Sequence, residues 1–465
     1  MGAEVFRRFF RFGLVVVSAR LLGDFRYGDF SFGLAYTSLF LILADLGIHK
    51  LIVRELARSP KNLQKYLGNG LFLKTLLSAL TLLFIAGFLN IKPVSPHVRN
   101  TVYILGFFQI TTSFIEFFKA IFQAFEKMKY DAAATLIETL SLTSIGVGVL
   151  LAGGGIQMLA LAYLAASMIT LVYVLLTLAA HFTPLLIAFE PRLIRYLLRE
   201  GLPIGINYFF STLFTFVDTV MLKWMVNSQV VGWYNAAYRL VFALQSIGVG
   251  ILHSVFPELS HTYYQSRTRY TVVFQKTGKA MIYLGITAAF FISMLSDEIV
   301  FFIYGEKYIR AGLALAILIW TTPFMFINTL MAFIAASADR QRFSAWAMGI
   351  SAFFNIVLNY ILIPRYSFVG AGITTLATQM LNFLMHYFYL TRYIVRPRIW
   401  SSLWRVIVIN LPAALLMRCF DQWNWIVLGI GGIILTLCMT WITHFFDAEE
   451  LRMLKSLFVK GKERE

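Results

Sequence analysis

Apolar runs recur along the whole chain, divided by short connections rich in charged residues, Asn, Gly and Pro. A helix rises about 1.5 Å per residue, so roughly 20 apolar residues cross a hydrocarbon core of about 30 Å. Spans are expected near 5–22, 29–49, 69–89, 101–123, 132–152, 157–180, 202–226, 231–256, 279–303, 311–337, 343–364, 367–391, 402–420 and 424–446. The pattern predicts an all-α integral membrane protein of about 14 transmembrane helices. The longest connections, around 181–200 and 257–278, are basic and too short for a folded domain. The first span is interrupted by Arg11 and Arg20, which leave it short. It lacks a small-residue cleavage site and reads as a membrane helix rather than a signal peptide.

The chain also repeats itself. ARLLGDFRYGDFSFGLAYTSLF aligns with LKWMVNSQVVGWYNAAYRLVFAL, placing Gly28 on Gly232, and GVLLAGGGIQMLALAYLAASM aligns with NYILIPRYSFVGAGITTLATQ. Two parallel six-helix lobes are therefore expected at 1–181 and 201–392, joined by a cytoplasmic linker at 182–200. A further helix pair at 393–446 and a cytoplasmic tail at 447–465 follow. Transporters built from parallel repeats bind substrate between the halves near the bilayer midplane.

Composition sharpens the class. Hydrophobic residues make up 59% of the chain and charged residues 14%, against about 25% charged in soluble domains. The net charge of +17 would suggest nucleic acid in a soluble protein. Here Lys and Arg gather in alternate connections (Lys50, Arg54, Arg58, Lys61 and Lys65 in one; Arg267, Arg269 and Lys276 in another), as positive-inside topology requires. No nucleic-acid partner is expected. Both termini are expected in the cytoplasm, and the chain in the cytoplasmic (inner) membrane. The two cysteines, Cys419 and Cys438, form no disulfide framework, and the seven histidines lack metal spacing. No cofactor is expected, and no metal beyond Na⁺.

ARLLGDFRYGDFSF, ADLGIHKLIVRELAR, VVGWYNAAYRL and NIVLNYILIPRYSFVGAGITT, in this order and spacing, resemble the polysaccharide-exporter family that includes O-antigen flippases. That family shares a superfamily with lipid II flippases and with multidrug and toxin exporters. The resemblance implies two six-helix lobes in a V that alternate access to a central cavity. It also implies a substrate, an oligosaccharide on an undecaprenyl diphosphate carrier used for surface polysaccharide. The other partners it implies are membrane lipids, a polymerase and a chain-length regulator, with the chain itself a monomer. Such transport breaks no covalent bond, so the chain is not expected to be an enzyme.

Ionisable residues within spans are costly and are functional candidates by default. Arg239 lies near the middle of the eighth span, one turn from Asn235. Its planar fork suits a diphosphate, and Tyr238 suits a sugar face; a salt bridge to Asp218, and packing by the tyrosine, are the structural alternatives. Arg20 joins Arg239 in the cavity or snorkels at the outer interface. Lys74, Glu116, Lys119 and Glu138 lie near the cytoplasmic ends of the third to fifth spans. They form either a headgroup-binding or gating network, or local pairs such as Glu116 with Lys119, with Lys74 snorkelling. Asp45, Arg54 and Glu55, at the end of the second span, either cap the helix, the preferred reading, or form gate contacts.

A polar stripe of Asn207, Ser211, Thr215 and Asp218 runs along the seventh span. Ser351, Asn355 and Asn359 follow on the eleventh, and Thr374 and Thr378 on the twelfth. Asp218, Asn355, Asn359 and Thr374 fall at one depth, roughly 7–14 Å from the outer helix ends. One carboxylate with amide and hydroxyl oxygens suits Na⁺, while a protonatable Asp218 suits H⁺ coupling. A similar site on these helices is implied by the resemblance to the lipid II flippase branch, and interhelical hydrogen bonding is the alternative. Pro203, Pro323 and Pro412 are expected to kink their helices.

Two rival functions share parts of this pattern. A polyprenyl-sugar glycosyltransferase or polymerase would use Asp24 and Asp29 in the first outer loop, but no connection is long enough for a catalytic platform. A multidrug or toxin cation antiporter would use the same fold.

Overall fold

In the computed structural model the described residues are 2–92, 94–182, 186–396, 400–420, 422–447 and 450, without the side chains of 2–5, 400 and 401. The expected tail lies outside them except for residues 447 and 450, as do residues 183–185 of the expected linker and the side chain of Trp400. Among the described residues every element is helical and there is no strand.

Twelve helical stretches among the described residues are long and apolar enough to cross a bilayer. Two of them, Phe6–Arg58 and Gln341–Tyr393, run 53 residues each, which is about 80 Å of helix and more than twice a hydrocarbon core. Each is interrupted by a residue with non-helical backbone. The first contains helix α1 (Gly2–Asp45), broken at Gly23 with φ 76°, and α2 (Ile48–Arg58). Taken as two passes apiece, the long stretches bring the structure to the fourteen or so helices expected from the sequence. Large apolar side chains lie open on the outer helix faces, Leu83, Leu176 and Phe353 among them, as lipid contact requires.

The chain folds as two compact units, Met1–Asn235 and Ala236–Glu465. The first contains α1, α2, α3 (Leu63–Leu89), α4 (Pro96–Ala124), α5 (Met128–Leu151), α6 (Ile156–His181), α7 (Pro191–Met225) and the first residues of α8 (Ser228–Gln265). α4 packs on α6, α6 on α5, and α1 touches α3, α4, α5 and α7. The presence of α7 in this unit follows from its packing along α1. Chain reversal before α2 depends on Leu46 and Gly47, both at positive φ. A Cβ on Gly47 would stand 2.6 Å from the Gly201 carbonyl oxygen of α7, so glycine is needed for conformation and for space. α2 then buries Ile48, Leu51, Ile52 and Leu56 on one face, against Phe117, Ile121 and Leu197.

The second unit continues α8 and adds α9 (Arg267–Met294), α10 (Ser296–Tyr304), α11 (Ala311–Leu318), α12 (Thr321–Ser337), α13 (Gln341–Tyr393), α14 (Trp400–Cys419) and α15 (Trp425–Ile442). Its core joins Tyr270, Phe274 and Met281 of α9 to Phe326, Leu330 and Met331 of α12 and Phe383 of α13. α14 packs on α9 and α15. α13 breaks at Ser367, φ 54°, a rare conformation for a residue with a Cβ. Pro203 and Pro412 lie inside α7 and α14. Pro323 sits in the first turn of α12, just after the interruption that separates α11 from α12 within the span Ala311–Ser337, where its missing N–H forfeits no helical hydrogen bond.

Candidate functional site

Buried charge in the first unit is organised into separate groups. Lys74 of α3 is fully buried and does not snorkel. Its Nζ lies 3.1 Å from Asp45 Oδ1 and donates to Ser113 Oγ at 2.7 Å, with the rings of Phe114 and Phe117 beside it. Asp45 also meets His49 Nδ1 at 2.6 Å, so Asp45 closes a charged cluster rather than capping a helix. Lys119 pairs with Glu116 at 3.1 Å and Asp131 at 2.9 Å. Arg11 of α1 reaches Glu138 of α5 at 2.6 Å. Lys74, Lys119 and Glu138 thus each have protein counter-charges close by. Arg54 meets Glu55 at 2.9 Å and Glu200 of α7 at 3.3 Å.

A second polar group joins α1, α7 and the start of α8. Asp29 accepts from Lys223 Nζ and, at 2.6 Å, from Ser228 Oγ, and Lys223 also contacts Ser228. Asp24 accepts from Gln229 at 2.7 Å and Trp233 Nε1 at 2.9 Å. The backbones nearly touch here. A Cβ on Gly28 would lie 1.8 Å from the Ser228 carbonyl oxygen, and one on Gly232 would lie 2.1 Å from that of Asp24. The repeat alignment that puts Gly28 on Gly232 also puts Asp24 on Ser228, so the contact is reciprocal. Asp24 and Asp29 are ligands of this junction rather than members of an open loop. Sequence reasoning missed Lys223 and Ser228, and the repeat was the signal that pointed to them.

Farther along the same helices, Asp218 is buried and accepts from Tyr234 Oη at 2.6 Å. Asn235 is also buried and donates to Thr219 Oγ1 at 3.1 Å and to the Val231 carbonyl oxygen at 3.0 Å. Along the α7 stripe, Asn207 and Ser211 are exposed, Thr215 is half-buried and Asp218 is buried. Arg20 is exposed on α1, just before the break at Gly23.

In the second unit Arg239 is half-buried on α8 and makes no hydrogen bond or ion pair among the described residues. Tyr238 is buried, with its ring edge-on to Phe242 at 4.5 Å. Ser351, Asn355 and Asn359 on one arm of α13, and Thr374 and Thr378 on the other, are all fully buried. Asn359 Nδ2 donates to Asn355 Oδ1 at 3.0 Å, and Asn382 Nδ2 donates to Ser351 Oγ at 3.1 Å. Asn355 Nδ2 and Thr374 Oγ1 have no hydrogen-bond partner among the described residues. Buried polar atoms left in this way are costly and rare in native interiors. No group of three or more His, Cys, Asp or Glu residues among the described residues is placed to hold a metal ion.

The family model described as "Polysaccharide biosynthesis protein" matches residues 1–263, more than half of the chain. The chain belongs to that family. A second family model, described as MatE, matches residues 203–361. Over 401 residues this family member is 23% identical to the probable low-salt glycan biosynthesis flippase Agl15 of Haloferax volcanii, a match that covers 84% of this chain and 82% of that one. It is 22% identical over 177 residues to the probable flippase AglR of the same organism, covering 37% of each. Among solved structures its fold is similar to the lipid II flippase MurJ in an inward closed conformation. The TM-score is 0.78 at 15% identity, over 95% of this chain and 98% of that one. It is also similar to an inward-facing multidrug resistance MATE family transporter of the MOP superfamily, TM-score 0.64 at 12% identity, over 83% and 95% of the two chains. These likenesses make it a multi-pass protein of the MOP fold.

Proposed function

We propose that this protein is a flippase for lipid-linked oligosaccharides. The observation that carries the reading is the likeness, over 84% of the chain, to a relative described as a probable glycan biosynthesis flippase; the MurJ-like fold supports it. In this reading the substrate is an oligosaccharide on undecaprenyl diphosphate, carried across the cytoplasmic membrane with both termini of the protein inside. The repeat lobes alternate access. Arg239, Arg20, Asn235 and Tyr238 are the substrate candidates, and Arg239 is the strongest, being a half-buried cation in a span without an ion pair among the described residues. Lys74, Glu116, Lys119 and Glu138 serve through their pairings, as the scaffold or latch of the first unit, rather than as phosphate ligands.

Asp218, Asn355, Asn359 and Thr374 are the candidates for Na⁺ or H⁺ coupling. The support is a buried carboxylate that accepts from Tyr234 Oη and a buried amide–hydroxyl cluster with unsatisfied atoms.

The test is flipping in proteoliposomes. An undecaprenyl-diphosphate oligosaccharide is loaded and its exposure to an external glycosidase is followed, with and without imposed Na⁺ and pH gradients. Gradient-sensitive exposure is expected. Efflux of cationic drugs without any flipping would favour the antiporter reading, for which the MatE match over 203–361 speaks.

A further inference from the structure

Within the second unit, three arginines from different helix ends gather around tyrosines. Arg267 opens α9, Arg340 immediately precedes α13, and Arg392 stands in the last turn of α13. All three are exposed. Their contacts join them into one cluster. Arg267 Nη1 donates to the Ile394 carbonyl oxygen at 3.0 Å, and its guanidinium lies 5.0 Å from the Tyr263 ring centroid. Arg340 and Arg392 share the Tyr393 ring, at 5.8 and 5.5 Å from its centroid, and Arg340 Nη1 reaches Tyr389 Oη at 3.5 Å. Tyr389 is stacked on Phe343, with ring centroids 3.8 Å and planes 6° apart.

The cluster carries more positive charge than it neutralises. None of the three arginines makes an ion pair among the described residues. Asp339, the carboxylate beside Arg340, accepts instead from Tyr264 Oη at 2.7 Å, and the nearby Arg269 is paired with Glu258 at 3.1 Å. Three guanidiniums against one carboxylate leave a net positive charge. A guanidinium has five N–H donors, and the protein takes one from Arg267 and one from Arg340. The aromatic rings hold the guanidiniums in place, so an anion meets donors that are already ordered.

The place of the cluster in the fold narrows the anion. Arg392 and Tyr393 follow the mostly apolar run 380–390 of α13. Phe388, four residues before Arg392, and Trp346, six residues after Arg340, are both exposed, about 6 and 9 Å along the helix from those arginines. Large exposed aromatics one to two turns inward of the charges set the arginines where hydrocarbon gives way to lipid headgroups. A soluble acidic protein would have to displace headgroups to reach this level, whereas a phospholipid presents its phosphate there.

We propose that this arginine–tyrosine cluster binds the phosphate of an anionic phospholipid. Arg340 and Arg392 supply planar bidentate donors, and Arg267 the third charge. Basic sites between membrane helices suit such headgroups. The assignment lies within the second unit alone and does not depend on what the protein transports.

The full chain, purified in detergent, is illuminated with photoreactive phosphatidylglycerol or phosphatidylcholine, and the cross-linked peptides are mapped by mass spectrometry. Phosphatidylglycerol should label segments 263–267, 339–343 and 389–394 about tenfold more than phosphatidylcholine, roughly what one charge-assisted hydrogen bond contributes. The Arg340→Gln/Arg392→Gln double variant should lose most of that preference. Arg99→Gln, at an exposed arginine in the other unit, should keep it. Equal labelling by the two lipids, an unchanged preference in the double variant, or an equal loss in Arg99→Gln overturns the proposal. Protection of these segments by equimolar inorganic phosphate overturns it in favour of a free-anion site, and protection by polyglutamate overturns it in favour of an acidic protein partner.

Discussion

Lys74 and Arg239 show two opposite uses of a cation in apolar surroundings. Lys74 is enclosed by Asp45, Ser113 and two aromatic rings. Removing one member of such a buried pair strands the other charge, at a cost of about 3–5 kcal/mol. Lys74→Ala should therefore lower the thermal midpoint of the purified protein sharply, while the joint replacement Lys74→Met with Asp45→Leu should recover most of the loss. A double variant as unstable as the single one would show that the pair does more than neutralise itself. Arg239 has no such partner among the described residues, so Arg239→Ala should leave folding and membrane level unchanged while abolishing flipping. Normal surface-polysaccharide output from that variant would sink the phosphate role. The sequence revealed both residues as charges within apolar runs but could not tell them apart. The Lys119 pair with Glu116 was legible because its members are three apart on one helix, whereas the partner of Lys74 comes from another helix, and only tertiary structure supplies it.

At the scale of elements, the number and order of the helices were legible because length and hydropathy determine what a bilayer accepts. Their ends were less so. α8 runs Ser228–Gln265, past the apolar stretch that announced it, because polar residues prolong a helix outside the hydrocarbon at no solvation cost. The break in α1 falls at a glycine, a residue that signals it, and the break in α13 falls at Ser367, three residues past Pro364 and where one expected span gives way to the next. The junction of α1 with α8 was half legible. The repeat paired Gly28 with Gly232, but only the tertiary structure brings each against the backbone of the other's helix. Gly28→Ala would drive its Cβ into the Ser228 carbonyl oxygen and should cost about 3 kcal/mol or more, since the clash is with backbone that cannot rotate away. Gly148→Ala on α5 meets nothing within 4 Å and should be neutral or stabilising by up to about 1 kcal/mol. Thermal melts of the two variants in one detergent make the comparison, and equal midpoints would mean that α1 and α8 separate easily at this point.

At the scale of the whole molecule, the repeat suggested lobes that end with the sixth helix, while the compact units divide inside α8. The two divisions answer different questions. A repeat records how the sequence is duplicated; a compact unit records which helices pack together, and α7 packs along α1. This matters for coupling, because Asp218 belongs to the first unit and Asn355, Asn359 and Thr374 to the second. In the coupling proposal the Asp218 carboxylate offers a charge and a titratable proton within the first unit, and Asn355, Asn359 and Thr374 offer neutral oxygens within the second, so each set is tested by itself. Asp218→Asn preserves size and the capacity to accept from Tyr234 while removing both the negative charge and the titratable proton. In proteoliposomes this variant should retain at most slow, downhill flipping that no longer responds to an imposed Na⁺ or pH gradient. Asn355→Ala and Thr374→Ala should keep a response but with weakened ion dependence, because each removes one neutral donor and leaves the charge. A wild-type gradient response in Asp218→Asn would move the coupling group elsewhere in the chain. Loss of flipping in all three variants, with no gradient response in the wild type, would make these residues structural and the transport downhill.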